Sequence, residues 1–431
     1  MEKFDRKAAL DKWMNIKGKL SVRDIQNSDI RQSMSVLLQN QENLDTRELN
    51  EGVQSTLDIG SNYGDGAKFS PIALALVRRT FPDLFAHKVV GVQAMNGPVG
   101  LAYALRYAYD VAGVPPTSTF NGGSDNYEAG FRALNQYSGY TGSVPGSALS
   151  TAVSALYNAS TSATYGQFGT GALTSAAEAW KVSQTMPNMK LFLDKVAIEA
   201  KTRKLGASFT LESAQDLKSM QGIEIEREML NILNYEVGAE LDREILGKMM
   251  QVSIDVSKGG EAPTVIDAAT NALDGRWSQE KFSNIVNIIV KKSNDIAIST
   301  GRNAGNYVIV SPRIATALQA AGPQFTANSS DVNASNALAE IGKINNVITV
   351  FRDNLAAIDY ALVGYKGPTI SDTGIIYSPY ITGLFNSAID PYTFGKNIGV
   401  MSRYSVVDSL LGAGRYYRSI VVNNLATVLG A

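Results

Sequence analysis

The 431-residue chain has no cysteine and a single histidine, His87. The lack of cysteine excludes disulfide bonds, thiolate nucleophiles and cysteine-ligated zinc. A single histidine excludes a metal site built from several histidines of one chain. Carboxylates alone could bind Mg²⁺ or Ca²⁺, but no stretch has the spacing of a calcium-binding loop. The sequence therefore predicts neither a cofactor nor a metal.

Charged residues and long apolar runs are also scarce. Charged residues make up 18% of the chain and apolar residues 45%, so a large core is available beneath a sparsely charged surface. The formal net charge of -1 lacks the basic excess of nucleic-acid-binding proteins, and it lets many copies pack with little repulsion. No apolar run reaches the roughly 18 residues of a membrane span, and the N-terminus lacks a signal-peptide pattern. We therefore expect no membrane span. We also expect the protein to be made and used in a cytoplasm.

The first 51 residues are richer in charge than the rest of the chain. They contain nine basic and nine acidic residues, about twice the average density. Apolar residues in this segment fit one face of a helix, with Gly18 as a weak point; they are Leu10, Trp13, Met14, Ile16, Leu20 and Val22. Two interpretations stay open: a solvated helical arm and a detachable segment.

A short motif marks the end of the charged segment. Leu49, Asn50 and Glu51 are followed by the small residue Gly52. One other glutamate, Glu340, has Leu or Ile two positions before it, and a bulky isoleucine follows that one. The change in composition and the motif therefore coincide at Glu51.

Periodicity and capping residues predict the remaining elements. A helix is predicted at 71–80, a turn at 96–98, where Gly97 permits a positive φ, and a strand with one bulky face at 101–109. The Gly-, Ser- and Thr-rich stretch 115–186 is predicted to be a long insertion, partly helical at 147–157 and 174–182. Further helices are predicted at 190–208, 211–221 and 278–300, and another begins at Ser311 and Pro312. A long helix is also predicted from an apolar stripe with spacings of three and four, formed by Leu230, Leu233, Val237, Leu241, Ile245 and Met249. Predicted strands cover 307–310, 347–351, 360–365, 374–377, 399–407 and 416–422, so the C-terminal half looks like a mixed α/β unit.

Three groups resemble catalytic or ligand sites only superficially. His87, near Asp83 and Lys88, has no nucleophile signature beside it, so we assign it a structural or surface role. The glycines of 299–310 follow a helix and precede a strand, which is the reverse of a phosphate-binding loop. The carboxylates of 224–229 and 240–244 are expected on solvated or intersubunit helix faces. The sequence thus predicts no catalytic residue and no enzyme.

Several separated blocks resemble one known family, the major capsid proteins of T-even-type tailed bacteriophages. The resemblance spans roughly residues 70–408 and is loose at 115–188 and after 408. The blocks are PIALALVRRTFPDLFAHKVVGVQAMNGPVGLAYALRYAY, EAKTRKLGASFTLESAQDLKSMQG, NYEVGAELDREI, STGRNAGNYVIVSP, LVGYKGPTISDTGIIYSPY and IGVMSRYSVV.

The resemblance implies an α+β, HK97-like capsid fold with a peripheral (P) domain, an axial (A) domain, an extended E-loop and an N-terminal arm. It implies the following divisions: 1–51 as a cleaved propeptide, 52–114 as N-arm and start of the P domain, 115–188 as E-loop with insertion, 189–261 as P domain with a long spine helix, 262–395 as A domain, and 396–431 as return to the P domain and tail.

The resemblance also implies a shell function. Copies would form hexamers, with pentamers left open, that tile an icosahedral shell around double-stranded DNA without sequence-specific binding. A prohead protease would cut after the motif of Leu49 and Glu51, before Gly52; vertex, portal, scaffold and decoration proteins would be further partners. The shell would be assembled in the bacterial cytoplasm. An oligomeric α/β enzyme, an encapsulin-like compartment shell and a vertex coat paralogue stay open as alternatives.

Overall fold

A computed structural model describes most of the chain outside residues 53–84 and 110–188. The described residues are 6–15, 22, 25, 28–52, 85–109, 128–129, 174, 178, 189–222, 224–268, 278–322, 324–327, 338–369, 372–390, 395–410 and 412–425. The helices predicted at 71–80 and 147–157 lie outside these residues. Of the helix predicted at 174–182, Thr174 and Glu178 are described, and both are helical.

The described residues form an α+β structure. The helices are α1 (Arg6–Asn15), α2 (Ser28–Gly52), α3 (Ala86–Val89), α4 (Leu211–Gln221), α5 (Ile225–Ile254), α6 (Ser278–Thr300) and α7 (Pro312–Ala320). The strands are β1 (Gly91–Val92), β2 (Val99–Tyr109), β3 (Glu128–Ala129), β4 (Met189–Glu199), β5 (Lys201–Phe209), β6 (Thr264–Asp267), β7 (Tyr307–Val310), β8 (Phe325–Ala327), β9 (Leu338–Ile344), β10 (Ile348–Asp353), β11 (Tyr360–Gly364), β12 (Ile375–Ile389), β13 (Lys396–Asp408) and β14 (Tyr417–Asn423). Short 3₁₀ turns cover Val256–Lys258 and Ala413–Tyr416.

Three sheets organise these strands. The seven-stranded sheet has the order β6-β14-β11-β7-β10-β9-β8, and the four-stranded sheet has the order β1-β12-β13-β5. The third sheet, β3-β2-β4, is essentially a long antiparallel ribbon of β2 and β4. Strand β14 lies between β6 and β11, so the chain after β13 enters the seven-stranded sheet.

Helix α5 fulfils the sequence prediction closely. All six residues of the predicted apolar stripe are buried, as expected for one face of a long amphipathic helix. The predicted ends of α4 are also correct, because the Thr210 side chain accepts a hydrogen bond from the Ser213 amide and Gly222 adopts a φ of 68°. Likewise, Ser311 caps α7 with Pro312 in its first turn, and Gly301 follows α6 at a φ of 64°.

The helix predicted at 190–208 is wrong, because the chain there forms strands β4 and β5. Strand β4 pairs with β2 along its whole length, from Val99 opposite Glu199 to Tyr109 opposite Met189. Strand β5 pairs with β13 from Lys396 opposite Phe209 to Tyr404 opposite Lys201. Cross-strand pairing and packing override local helix preference, since strand propensity is set largely by tertiary context.

The turn at 96–98 and the extent of the predicted strands differ in detail from what the sequence indicated. Gly97 does not adopt a positive φ, and a Cβ there would meet only the Val99 carbonyl oxygen at 3.8 Å. The turn at 96–98 therefore tolerates alanine at Gly97 on steric grounds. Strands β6, β8 and β9 had no recognised sequence signal, and β12 extends twelve residues beyond the predicted end at Tyr377.

The N-terminal segment is not a solvated arm in its described part. Trp13, Val22, Met34, Leu37 and Leu38 are buried within the same hydrophobic core as residues of the seven-stranded sheet. Helix α2 packs on β12, and α1 packs on α2. The apolar face predicted around Trp13 therefore faces the protein core rather than water.

Candidate assembly and processing sites

One face of the β2–β4 ribbon carries an exposed row of large apolar side chains. Because antiparallel register places odd-numbered residues of both strands on the same face, these side chains line up together. Seven residues, each at least half exposed, form this row, which we term the ribbon face: Val99, Leu101, Tyr103 and Tyr107 on β2 and Met189, Leu191 and Leu193 on β4.

The ribbon face is physically costly for an isolated subunit. A two-stranded ribbon is marginally stable in water on its own. The eleven paired positions span about 35 Å, so the exposed apolar side chains form an extended row rather than isolated exposed residues. A cluster of large exposed apolar side chains typically marks a protein–protein contact; here the exposed Lys195 and Glu199 lie on the same face, opposite Tyr103 and Val99.

The motif of Leu49, Glu51 and Gly52 lies at the C-terminal end of α2. Leu49, Glu51 and Gly52 occupy the last turn of this 25-residue helix. Helix ends fray more readily than helix interiors, so this position suits a cut that needs an unwound backbone. The rival motif at Glu340 lies within β9, in the seven-stranded sheet, and its carboxylate is 3.5 Å from the Lys88 ammonium.

The carboxylates of residues 240–244 do not form a simple solvated face, contrary to that part of the sequence prediction. Arg203 on β5 contacts Glu240 at 2.6 Å and Glu244 at 2.7 Å. Arg203 also donates to the Tyr404 hydroxyl, which in turn donates to Glu244. Burial raises the pKa of Glu244, but hydrogen bonds from Tyr404 and Arg203 outweigh burial and hold that pKa below its ordinary value. This cluster joins α5 to the four-stranded sheet.

Arg243, the residue before Glu244, joins α5 to the seven-stranded sheet. Its guanidinium makes two hydrogen bonds to Asp353, at 2.8 and 2.6 Å. Asp353 is fully buried and also accepts from the Tyr360 hydroxyl at 2.6 Å. Bidentate pairs of this geometry are strong and directional, so α5 is fixed to both sheets by successive residues of one turn.

Asp242 lies between these two pairs and is buried against α3. Burial raises the pKa of Asp242 to about 7, although backbone N–H groups of Phe85 and Ala86 and the charge of Arg243 act in the opposite direction. Within the described part of the chain, its Oδ1 atom has no hydrogen-bond partner. Asp242 thus ties the short helix α3 to α5 and holds a proton up to near-neutral pH.

This raised pKa predicts a specific pH dependence of stability. Unfolding restores an ordinary carboxyl pKa near 3.8, so the folded state alone retains the proton as pH rises from about 4 to 7. Asp242 therefore contributes stability that is complete below pH 4 and lost by about pH 7. In Asp242→Asn, this loss, at most about 1.4 kcal/mol per pH unit, disappears. Chemical denaturation of both proteins at pH 5 and pH 8 should show the variant gaining on the parent; parallel changes would contradict the assignment.

His87, whose role the sequence left structural or at the surface, lines a cavity of about 240 Å³ with Asp29, Ser33 and Lys366. The Lys366 ammonium donates to the backbone carbonyl of His87 at 2.5 Å. Burial lowers the pKa of Lys366 to about 8, and Asp29 partly offsets that effect. This cavity lies where the start of α2 meets the loop after β11.

The described residues contain no group of three or more His, Asp or Glu side chains arranged to hold a metal ion. None of the helices in the described ranges is long and apolar enough to cross a membrane. The sequence reasoning missed the burial of Asp242 and the pairing of Arg243 with the buried Asp353. No local signal could have found them, because their partners Phe85 and Asp353 lie far away along the chain.

The described residues thus form an α+β subunit with a row of exposed apolar side chains on its β2–β4 ribbon. A family model described as Major capsid protein Gp23 matches residues 66–422. The chain belongs to this family and is a major capsid protein of tailed phages that forms the capsid shell. The family is a structural one, and the protein is part of the virion capsid.

Curated relatives carry the same description. The major capsid protein of Enterobacteria phage T4 is 28% identical over 412 residues, covering 82% of this chain and 77% of the relative. That of Vibrio phage KVP40 is 30% identical over 400 residues, covering 80% and 77%. The solved mature capsid of bacteriophage PhiM1 is similar at 9% identity with a TM-score of 0.42, covering 86% of this chain and 92% of that chain.

Proposed function

We propose that copies of this chain assemble as HK97-like capsomers, hexamers in the first place, in which the ribbon face packs on a neighbouring copy. The ribbon face carries the proposal, because this row of large apolar side chains lacks a cover within the described part of the subunit. Family membership supports assembly with other copies, and repeated contacts of moderate size add by multivalency. Double-stranded DNA is the expected content, held without sequence-specific binding, and the host cytoplasm the site of assembly.

We also propose the domain division that the resemblance implies. The four-stranded sheet and α5 correspond to the peripheral domain with its spine helix, and the ribbon corresponds to the base of the E-loop. The seven-stranded sheet corresponds to the axial domain within 262–395. Since β14 lies in this sheet, we assign Tyr417–Asn423 to the axial domain and limit the return to the peripheral domain to β13.

Assembly should be sensitive to charge on the ribbon face. Leu191 is 60% exposed, so Leu191→Asp should change subunit stability by less than about 0.5 kcal/mol. It should nevertheless reduce shell yield at least tenfold, because a buried unpaired carboxylate is strongly unfavourable at an interface. Electron microscopy and sedimentation would measure the yield.

Ile298→Asp is the matched control, since Ile298 is 77% exposed and lies on α6, which packs on the seven-stranded sheet rather than on the ribbon. Normal shells from Leu191→Asp, or an equal loss from both variants, would argue against the ribbon face as the principal contact.

We further propose that a prohead protease cuts after Glu51 during maturation. The motif of Leu49, Glu51 and Gly52, its place at a helix end, and the start of the family match at residue 66 support this proposal. Mass spectrometry of coat protein from mature particles should find Gly52 at the N-terminus. Glu51→Gln should leave the chain uncut, whereas Glu340→Gln should be cut normally. A segment from Met1 to Gly52 still attached in mature particles would end the proposal.

A further inference from the structure

The N-terminal segment belongs to the subunit core and is also the part that a cut after Glu51 would sever. Trp13 is 2% exposed, and Met34 and Leu38 are fully buried. These residues share one hydrophobic core with Phe85 and Val89. Removing the segment would therefore take side chains out of the core rather than trim a loose tail.

A buried polar contact makes the segment harder to replace. Asn40 on α2 donates to the Met95 carbonyl at 2.9 Å and to the Tyr380 carbonyl at 3.1 Å. These two carbonyls lie just past the end of the β1–β12 pairing, where Met95 donates to Pro379. Loss of α2 would remove this donor from both carbonyls, together with the apolar side chains of α2 that pack against β12.

The free energy of folding is a small difference between large terms, so several lost core side chains can equal the whole of it. A chain cut after Glu51 would need other contacts to stay folded. The ribbon face offers such contacts, because apolar surface exposed in the single subunit becomes buried between copies.

We propose that the N-terminal segment is an internal pro-segment that keeps the unassembled subunit folded, and that contacts between copies replace it in the shell. This inference rests on the proposed trimming after Glu51. It predicts that the free subunit depends on the segment for its fold, whereas the assembled subunit does not. A cut before assembly leaves a subunit whose β1 and β12 ends are uncovered.

The test separates assembly from cutting by using an artificial cleavage site. The recognition sequence of a site-specific protease is inserted after Gly52 in the full chain. The same insert in Leu191→Asp supplies unassembled subunits, and uncut samples of both serve as controls. After cleavage and gel filtration, mass spectrometry shows whether the segment remains bound, and hydrogen exchange is followed at 85–95 and 377–381.

The expected result differs between the two samples. Shells should release the segment with amide protection at these residues within twofold of the uncut shell. Free subunits should either keep the cut segment bound or lose protection at least tenfold when it leaves.

Free subunits that release the segment and keep their protection would overturn the proposal. Shells that retain the segment, or that lose protection on releasing it, would overturn it as well. Neither outcome depends on the phage protease, so failure here is distinct from an intact N-terminus in mature particles.

Discussion

Replacing Arg243 with alanine is expected to lower the free energy of unfolding by about 3–5 kcal/mol, because it leaves the buried Asp353 carboxylate without its cation. The Tyr360 hydroxyl would remain as a donor but carries no charge. Arg243→Lys should recover part of the loss, since an ammonium restores the charge but not the paired hydrogen bonds. Urea denaturation of the unassembled subunit measures both values.

The matched control for this change is Arg313→Ala. Arg313 is 62% exposed and approaches Asp359 at 3.4 Å, so its removal should cost no more than about 1 kcal/mol. Equal effects of the two alanine variants would mean that the Arg243–Asp353 pair does not join α5 to the seven-stranded sheet as described.

Gly260→Ala is expected to be the second severe substitution, at about 3 kcal/mol or more. A Cβ at Gly260 would lie 2.6 Å from the Ser253 carbonyl oxygen and 2.7 Å from that of Val252. These are backbone atoms at the end of α5, so relief requires the helix end and the segment at Gly260 to move apart. Thermal unfolding would show a lowered midpoint.

Gly247→Ala, inside α5, is the control and should have the opposite effect on stability. A Cβ at Gly247 meets nothing within 4 Å, and alanine is favoured over glycine inside helices. The variant should therefore gain about 0.5–1 kcal/mol. Destabilisation by Gly247→Ala, or a neutral Gly260→Ala, would contradict the packing of this region.

Long amphipathic patterns were predicted best from sequence. The stripe from Leu230 to Met249 is buried as expected, because apolar residues repeating every three or four positions over five turns share a face only in a helix. Caps such as Ser311 with Pro312 were also correct, since their hydrogen bonds are local. By contrast, the strands at Met189–Glu199 and Lys201–Phe209 depend on partners far away in sequence.

The polar sites show the same division. Arg243 and Asp353 are 110 residues apart, and Asn40 and Tyr380 are 340 apart, so no local pattern announces either contact. The charges of residues 240–244 were predicted to lie on a solvated or intersubunit helix face because charged residues on helices usually do. Burial of Asp242 under Phe85 and Ala86 reverses that interpretation and moves its pKa towards neutrality.

By itself, the sequence determined the family, the absence of cysteine chemistry, the long apolar stripe of α5 and the motif ending at Glu51. Composition, periodicity and short motifs are properties of the sequence itself, so they can be recognised without knowing the tertiary contacts. Only the tertiary structure decided that the charged N-terminal segment lies in the core and that the ribbon face is left exposed. Both facts depend on how segments that are distant in sequence pack together, because the burial of a side chain is set by its tertiary contacts and not by its own segment alone.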